Sequence, residues 1–345
     1  DDLAAHLTAN GLAVTAVDVE GLPPLPPDVQ VVCLDAHRLH TQAEVDALAA
    51  LLARGGGVVI AATGWGWVQL NPGKAINRDF LGNAVLLRAG LAFSAAMSER
   101  TSWQGFAVTP EISPFLNAGT ALEALLAQKA GTQNLSAEEQ KQISAVLPQA
   151  ARAMNAADSA FLPRIEALVA GHSASIIPTR KDPVRASDGL RRLVVSLQAD
   201  RLARTPADEV TAHPAAADFP GTVPTDAPRV TQTVRVDTRV PRWHSTGLYA
   251  APGEKITVTI PAAAAGKGLA LRVGCHTDGL WQRPDWWRFP AITRSFELKG
   301  ERTTAAGAFG GLVYVDVPAQ STLGEVDVTI TGAVPAPLFV LARFG

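Results

Sequence analysis

The run Trp243-His244-Ser245-Thr246-Gly247-Leu248-Tyr249-Ala250-Ala251-Pro252-Gly253-Glu254 leads into Ile256-Thr257-Val258-Thr259-Ile260-Pro261. The second segment alternates apolar and polar residues, the period of a strand with one buried face, and Pro252-Gly253 supplies a turn before it. The signature returns at Leu269 to Asp278 and at Phe309 to Pro318. Upstream, Thr231 to Val240 alternates with Val234 and Val236 on one face and Arg235, Asp237 and Arg239 on the other. Short strands punctuated by turns imply an antiparallel β-sandwich over residues 230–345.

Five motifs stand in one order here: Ser245-Thr246-Gly247-Leu248-Tyr249, Pro252-Gly253-Glu254, Gly274-Cys275-His276-Thr277-Asp278, Phe309-Gly310-Gly311-Leu312-Val313-Tyr314-Val315 and Gly332-Ala333-Val334-Pro335-Ala336-Pro337. The series resembles the β-rich portion of the enhancin-like zinc metallopeptidases, most closely the branch that includes the TRP channel-associated factors. The likeness is good from Trp243 onward, looser before Arg204 and absent between. It implies the non-catalytic N-terminal region of a peptidase whose substrates are O-glycosylated, mucin-type proteins, with a glycan, glycoprotein or other protein as partner. The channel-associated branch implies instead an intracellular protein-interaction module. The first reading places the protein outside the cell, in the periplasm or at the cell surface, and the second in the cytoplasm.

Peptidases of that family carry His-Glu-x-x-His on a helix, two His ligating zinc and the Glu activating water. None of the seven histidines here precedes a Glu. Zinc is therefore expected only in a catalytic domain beyond Gly345, and these residues are expected to be inactive, with no cofactor of their own. The high Ala, Gly and Pro content fits a GC-rich bacterial gene.

Toward the N-terminus, Leu12 to Val19 alternates, Pro23 to Pro27 must be a loop, and Val29 to Leu34 is a continuous apolar run of the kind covered on both faces. Thr41-Gln42-Ala43-Glu44 is a capping box opening a helix to about Arg54. Gly55-Gly56-Gly57 stops that helix, Val58 to Ala62 gives the next strand, and Leu91 to Ser94 reads as another. Strand, helix, strand implies a parallel sheet with a right-handed crossover. Residues 1–115 resemble the class I glutamine-amidotransferase-like, flavodoxin-like fold. The loop Thr63-Gly64-Trp65-Gly66-Trp67 lies where such sheets place ligands, but offers Gly64 and Trp65 where those enzymes carry a nucleophile. The likeness thus implies a degenerate scaffold.

Residues 116–204 turn helical, with Leu122, Leu125 and Leu126 on one face, Ser136 to Glu139 capping a second helix that Pro148 interrupts, and Phe161 to Val169 forming a third. Ser187-Asp188 caps a helix from Gly189 to Arg204, with Arg191, Arg192, Arg201 and Arg204 read as its solvated side. Residues 205–229 hold five prolines and read as a stiff linker or a strap lying on its neighbour. The architecture is α/β, then helices, then β.

With 345 residues, 47% hydrophobic and 18% charged, and a formal charge of −2, the chain can bury a large core and has no global attraction to nucleic acid. It shows no bilayer-spanning run. Cys33 and Cys275 both fall in expected strands and read as buried free thiols.

The cluster Trp281-Gln282-Arg283-Pro284-Asp285-Trp286-Trp287-Arg288-Phe289 is the strongest site candidate, a loop between strands. Rings stack on a pyranose face while polar groups take its hydroxyls, so Trp281, Arg283, Asp285, Trp286 and Trp287 are candidate ligand residues; the plain alternative is that the rings pack on the core. His276 and Asp278 share a strand face and Trp65 and Trp67 sit past a strand end, which makes these four weaker candidates. Without a nucleophile or a third ligand, no catalytic or metal role is assigned. Arg272 and Arg294 are possible partners of Asp278, and Gly310 and Gly311 mark a bulge or a close backbone approach.

Overall fold

The computed structural model describes residues 2–17, 22–89, 91–96, 102–105, 113–154, 158–172 and 175–338. The chain divides into two compact units, Asp1–Gly119 with Val146–Ile165, and Thr120–Ala145 with Glu166–Gly345.

The first unit contains α1 (Asp2–Ala9), β1 (Val31–Asp35), α2 (Gln42–Ala53), β2 (Gly57–Ala61), α3 (Gly64–Leu70), α4 (Ile76–Asp79) and α5 (Leu81–Leu86). β1 and β2 pair in parallel from Val31↔Gly57 to Asp35↔Ala61. The capping box of α2 forms: Glu44 N donates to Thr41 Oγ1, and Glu44 Oε2 accepts from Thr41 N at 2.6 Å. Val45 and Leu48 are buried against Val32, Leu34, Val58 and Ile60.

The alternate residues Val31, Cys33 and Val59 are exposed, so the continuous apolar run does not form a strand covered on both faces. Only one face of this pair carries packed helices among the described residues. Residues 12–17 form no strand, and Asp18 and Val19 lie outside the described residues. Residues 91–94 form none either, because a side chain replaces the ladder: Asn83 accepts from Phe93 N at 2.6 Å and donates to Phe93 O at 3.0 Å. The expected loop at Thr63–Trp67 is largely the first turn of α3, where a Cβ on Gly64 would sit 2.2 Å from Ser94 O.

Three helices follow, α6 (Ala118–Lys129), α7 (Ala137–Ala153) and α8 (Leu162–Ala170). Pro148 lies inside α7 and does not interrupt it. A proline there costs about 3 kcal/mol; the full burial of Ile143 and Leu147 nearby offsets it. Next come β3 (Val184–Arg185) and α9 (Gly189–Arg204), whose N-cap Asp188 accepts from Arg191 N at 3.1 Å. Arg192 is only 5% exposed, against the solvated-face expectation.

Residues 205–229 form a strap. His213 N donates to Ala308 O at 2.9 Å, and its ring lies 4.7 Å from that of Phe289 and 5.1 Å from that of Phe309. Burial holds the His213 imidazole below its usual pKa.

The β-rich part comprises β4 (Val230–Asp237), β5 (Arg242–Ala250), β6 (Ile256–Thr259), β7 (Ala270–Val273), β8 (Asp285–Trp286), β9 (Arg294–Glu297), β10 (Arg302–Ala305), β11 (Gly311–Val317) and β12 (Glu325–Pro335). All but β8 form one antiparallel sheet in the order β10-β6-β12-β5-β11-β7-β9, with β4 added on β12. β12 joins its halves. Thr329–Thr331 pair with β6, the ladder to β4 shifts between Thr331 and Ala333, and Val334 and Pro335 pair with β5. Gly332 takes φ 94° at the shift, a value glycine adopts without strain. The two halves enclose one core containing Leu248, Ile256, Leu271, Val315, Val328 and Ile330. At Gly311 a Cβ would fall 2.7 Å from Gly274 Cα, the close approach expected there.

Candidate functional site

β8 pairs antiparallel with β3, Val184 opposite Trp286 and Arg185 opposite Asp285. Successive side chains of an extended segment point to opposite sides, and this alternation separates the two adjacent indoles. Trp286 is 2% exposed, while Trp287 is 57% exposed. Beneath the loop, Arg192 Nη2 donates to Arg283 O at 3.0 Å and also to Pro284 O, and its guanidinium carbon stands 3.9 Å from the Trp286 ring centroid. Trp281 meets Trp286 edge-on at 5.4 Å. Trp286 is therefore a structural anchor, beyond a ligand's reach.

The exposed side of this loop borders a cleft of about 960 Å³ that gathers His276, Asp278, Arg283, Asp285 and Trp287. Trp281 and Trp286 are not in its lining. The loop carrying Thr179, Arg180 and Lys181, which leads into β3, also lines it. Arg191 fixes that loop through Asp182, at 2.9 Å and 2.7 Å, and Asp182 N donates to Thr179 Oγ1 at 3.0 Å. Phe219 also lines the cleft, its ring 5.0 Å from that of His276.

His276 and Asp278 lie past the end of β7 rather than within a strand. Their Nδ1 and Oδ1 are 3.6 Å apart. The partner of Asp278 is Arg288, at 3.0 Å, in place of Arg272 or Arg294. Burial works to raise the Asp278 carboxyl, but Arg288 and nearby donors hold it below the usual carboxylate range. Arg272 instead donates to His276 O at 2.8 Å, as does Thr293 Oγ1 at 3.0 Å, which fixes the loop backbone. Cys275 is exposed, as is Cys33, so neither is a buried thiol.

No Ser or Cys lines the cleft among the described residues. Its combination of an exposed indole, guanidinium and ammonium groups and carboxylates suits recognition of a polar ligand with an apolar face. Nor do three His, Cys, Asp or Glu side chains come together to hold a metal among the described residues, so the residues present do not fit a zinc site.

A smaller cavity of about 320 Å³ in the first unit is lined by Trp67, His37, His40, Lys74 and Asp79; Trp65 is not in its lining. His37 Nδ1 lies 2.7 Å from Asp35 Oδ1. The signal for it is Asp35-Ala36-His37-Arg38-Leu39-His40, at the carboxyl end of β1, which the reading of the Trp65 turn passed over. Arg78 and Ala75 N hold the Asp79 carboxyl at a pKa of about 2.

Residues 225–331 match the N-terminal domain of M60-like peptidases. This M60-like stretch spans all of β4 to β11 and contains the cleft residues from His276 to Arg288. Residues 6–107 match a second family, described as TRPM8, N-terminal domain. Human TRPM8 channel-associated factor 2 is 30% identical over 99% of this chain, and human TRPM8 channel-associated factor 1 is 29% identical over 96%. The chain spans 37% and 36% of those two proteins, little more than a third of their length. Among solved structures, the IMPa metallopeptidase from Pseudomonas aeruginosa is 14% identical with a TM-score of 0.36, over 88% of this chain and 37% of that one. No helix among the described residues is long and apolar enough to cross a membrane.

Proposed function

We propose that this chain is the non-catalytic N-terminal region of a secreted bacterial enhancin-like metallopeptidase of O-glycosylated proteins, and that its cleft holds a glycan of the substrate. The observation that carries this reading is the position of the cleft: the exposed Trp287 and the polar groups of the 276–288 loop lie within the stretch that matches the M60-like N-terminal domain. The indole face stacks on the apolar face of a pyranose, and Arg283, Asp285 and Asp218 take its hydroxyls. Zinc and the peptidase reaction belong, in this reading, to another part of the parent polypeptide. The first unit is then an amidotransferase-like scaffold, with Gly64 and Trp65 where a nucleophile would stand.

Titration of the 345-residue chain with mucin-type O-glycans, followed by Trp fluorescence, tests the reading. Saturable quenching that weakens in Trp287→Ala is expected. Absence of quenching, or quenching that Trp287→Ala leaves unchanged, would sink it.

A second reading, an intracellular protein-interaction module, is favoured by the likeness over 99% of the chain to a protein named for association with a channel. A secretion signal in the parent polypeptide would exclude this reading, and a cytosolic start would favour it.

A further inference from the structure

We infer that the cleft selects anionic sugars over neutral ones, an inference that rests on the glycan-binding reading above. The argument is one of uncompensated charge. Arg180, Lys181 and Arg283 all line the cleft and all are exposed. Among the described residues none of the three forms an ion pair, whereas Arg191, Arg229 and Arg235 in the same unit are each held by a carboxylate.

The acids of the cleft do not cancel this charge. Asp278 is engaged by Arg288. Asp218 and Asp285 remain against three cations. Two of these, Arg180 and Lys181, sit on the loop that the Arg191–Asp182 pair fixes, and the third is on the Trp287 loop. Cations from two loops thus line the cleft, with the exposed indole on one of those loops. A sugar that stacks on Trp287 and carries a carboxylate or sulfate satisfies both features, and a neutral sugar leaves the cations facing water. Charged hydrogen bonds are the stronger kind, and clefts lined by one sign of charge concentrate the opposite sign.

The test compares three forms of one galactose–N-acetylgalactosamine disaccharide (unsubstituted, sialylated and sulfated) and a polyglutamate peptide, each titrated into the full chain by calorimetry. The sialylated or the sulfated form is expected to bind about tenfold tighter than the unsubstituted one, and whichever does so identifies the anion. That preference shrinks several-fold in Arg283→Gln and in Lys181→Gln and with added salt. Lys299→Gln, a substitution of an exposed lysine outside the cleft paired with Glu297, should leave the preference intact. Equal binding of all three sugars would overturn this inference and leave glycan binding standing. Binding of none would overturn both, and binding of the peptide alone would point to a protein partner instead.

Discussion

The Arg192 guanidinium carbon lies 3.9 Å from the Trp286 ring centroid, while its Nη2 donates to the carbonyls of Arg283 and Pro284. One buried cation from α9 thus holds the cleft loop by its backbone and by its anchoring indole. Removing it in Arg192→Leu leaves two carbonyls without that donor, at a cost of about 2–4 kcal/mol from hydrogen bonds to a charged group and the cation–π contact. Thermal unfolding should show the loss, with Arg192→Lys milder.

The two neighbouring indoles should respond oppositely. Trp286→Ala empties a packed site and should cost about 3–5 kcal/mol. Trp287→Ala removes an exposed ring and should stay within about 0.5 kcal/mol in stability while impairing ligand binding. Denaturant melts of both variants check this; comparable losses in the two would contradict the alternation at β8.

The strap rests on the β-rich core at Gly253, where φ is 73° and a Cβ would lie 2.1 Å from Ala212 N. Both the torsion and the backbone contact oppose a side chain, so Gly253→Ala should cost about 1–3 kcal/mol. Gly300→Ala meets nothing closer than 3.9 Å and is the control. Proteolysis between Thr205 and Arg229 should quicken in the first variant only.

Periodicity made the β-rich half legible, since Ile256–Thr259 alternates buried and less buried residues, and the Asp188 cap made α9 legible. The cleft was half legible. Trp287, Arg283, Asp285, His276 and Asp278 were visible as residue types, but Arg180 and Lys181 come from a loop about a hundred positions upstream, joined by the long-range pairing of β3 with β8. Arg192 was misassigned for the same reason. A guanidinium on a helix reads as solvated unless its distant partners are known. The strand expected at 91–94 failed differently, because one side-chain amide of Asn83 did the work of a neighbouring strand.

Exposure of both cysteines gives a direct check on the fold. Cys33 faces out from the uncovered side of β1 and Cys275 from the turn after β7. A thiol reagent at a pH that forms thiolate should modify both in the native protein without denaturant, because both are exposed to it. If either thiol reacts only after unfolding, its strand register or turn is misplaced.

Acid should loosen the first unit through Glu44. Its carboxylate accepts from the backbone N–H groups of Leu22 at 2.6 Å, His40 at 2.7 Å and Thr41 at 2.6 Å. Burial acts to raise its pKa, but these donors outweigh it and lower the value to about 2, from 4.5 for the free side chain. A depressed folded pKa means that the stabilisation is fully present above the unfolded value and is lost as pH falls from about 4.5 through about 2. The proton then competes for the oxygens that bind the start of α2 to the segment at Leu22. Thermal unfolding of the wild-type chain should accordingly fall steeply across that window. Glu44→Gln, which keeps one acceptor oxygen and cannot titrate, should melt lower at neutral pH and lose less on acidification. Parallel acid limbs in the two proteins would mean that Glu44 does not carry the effect.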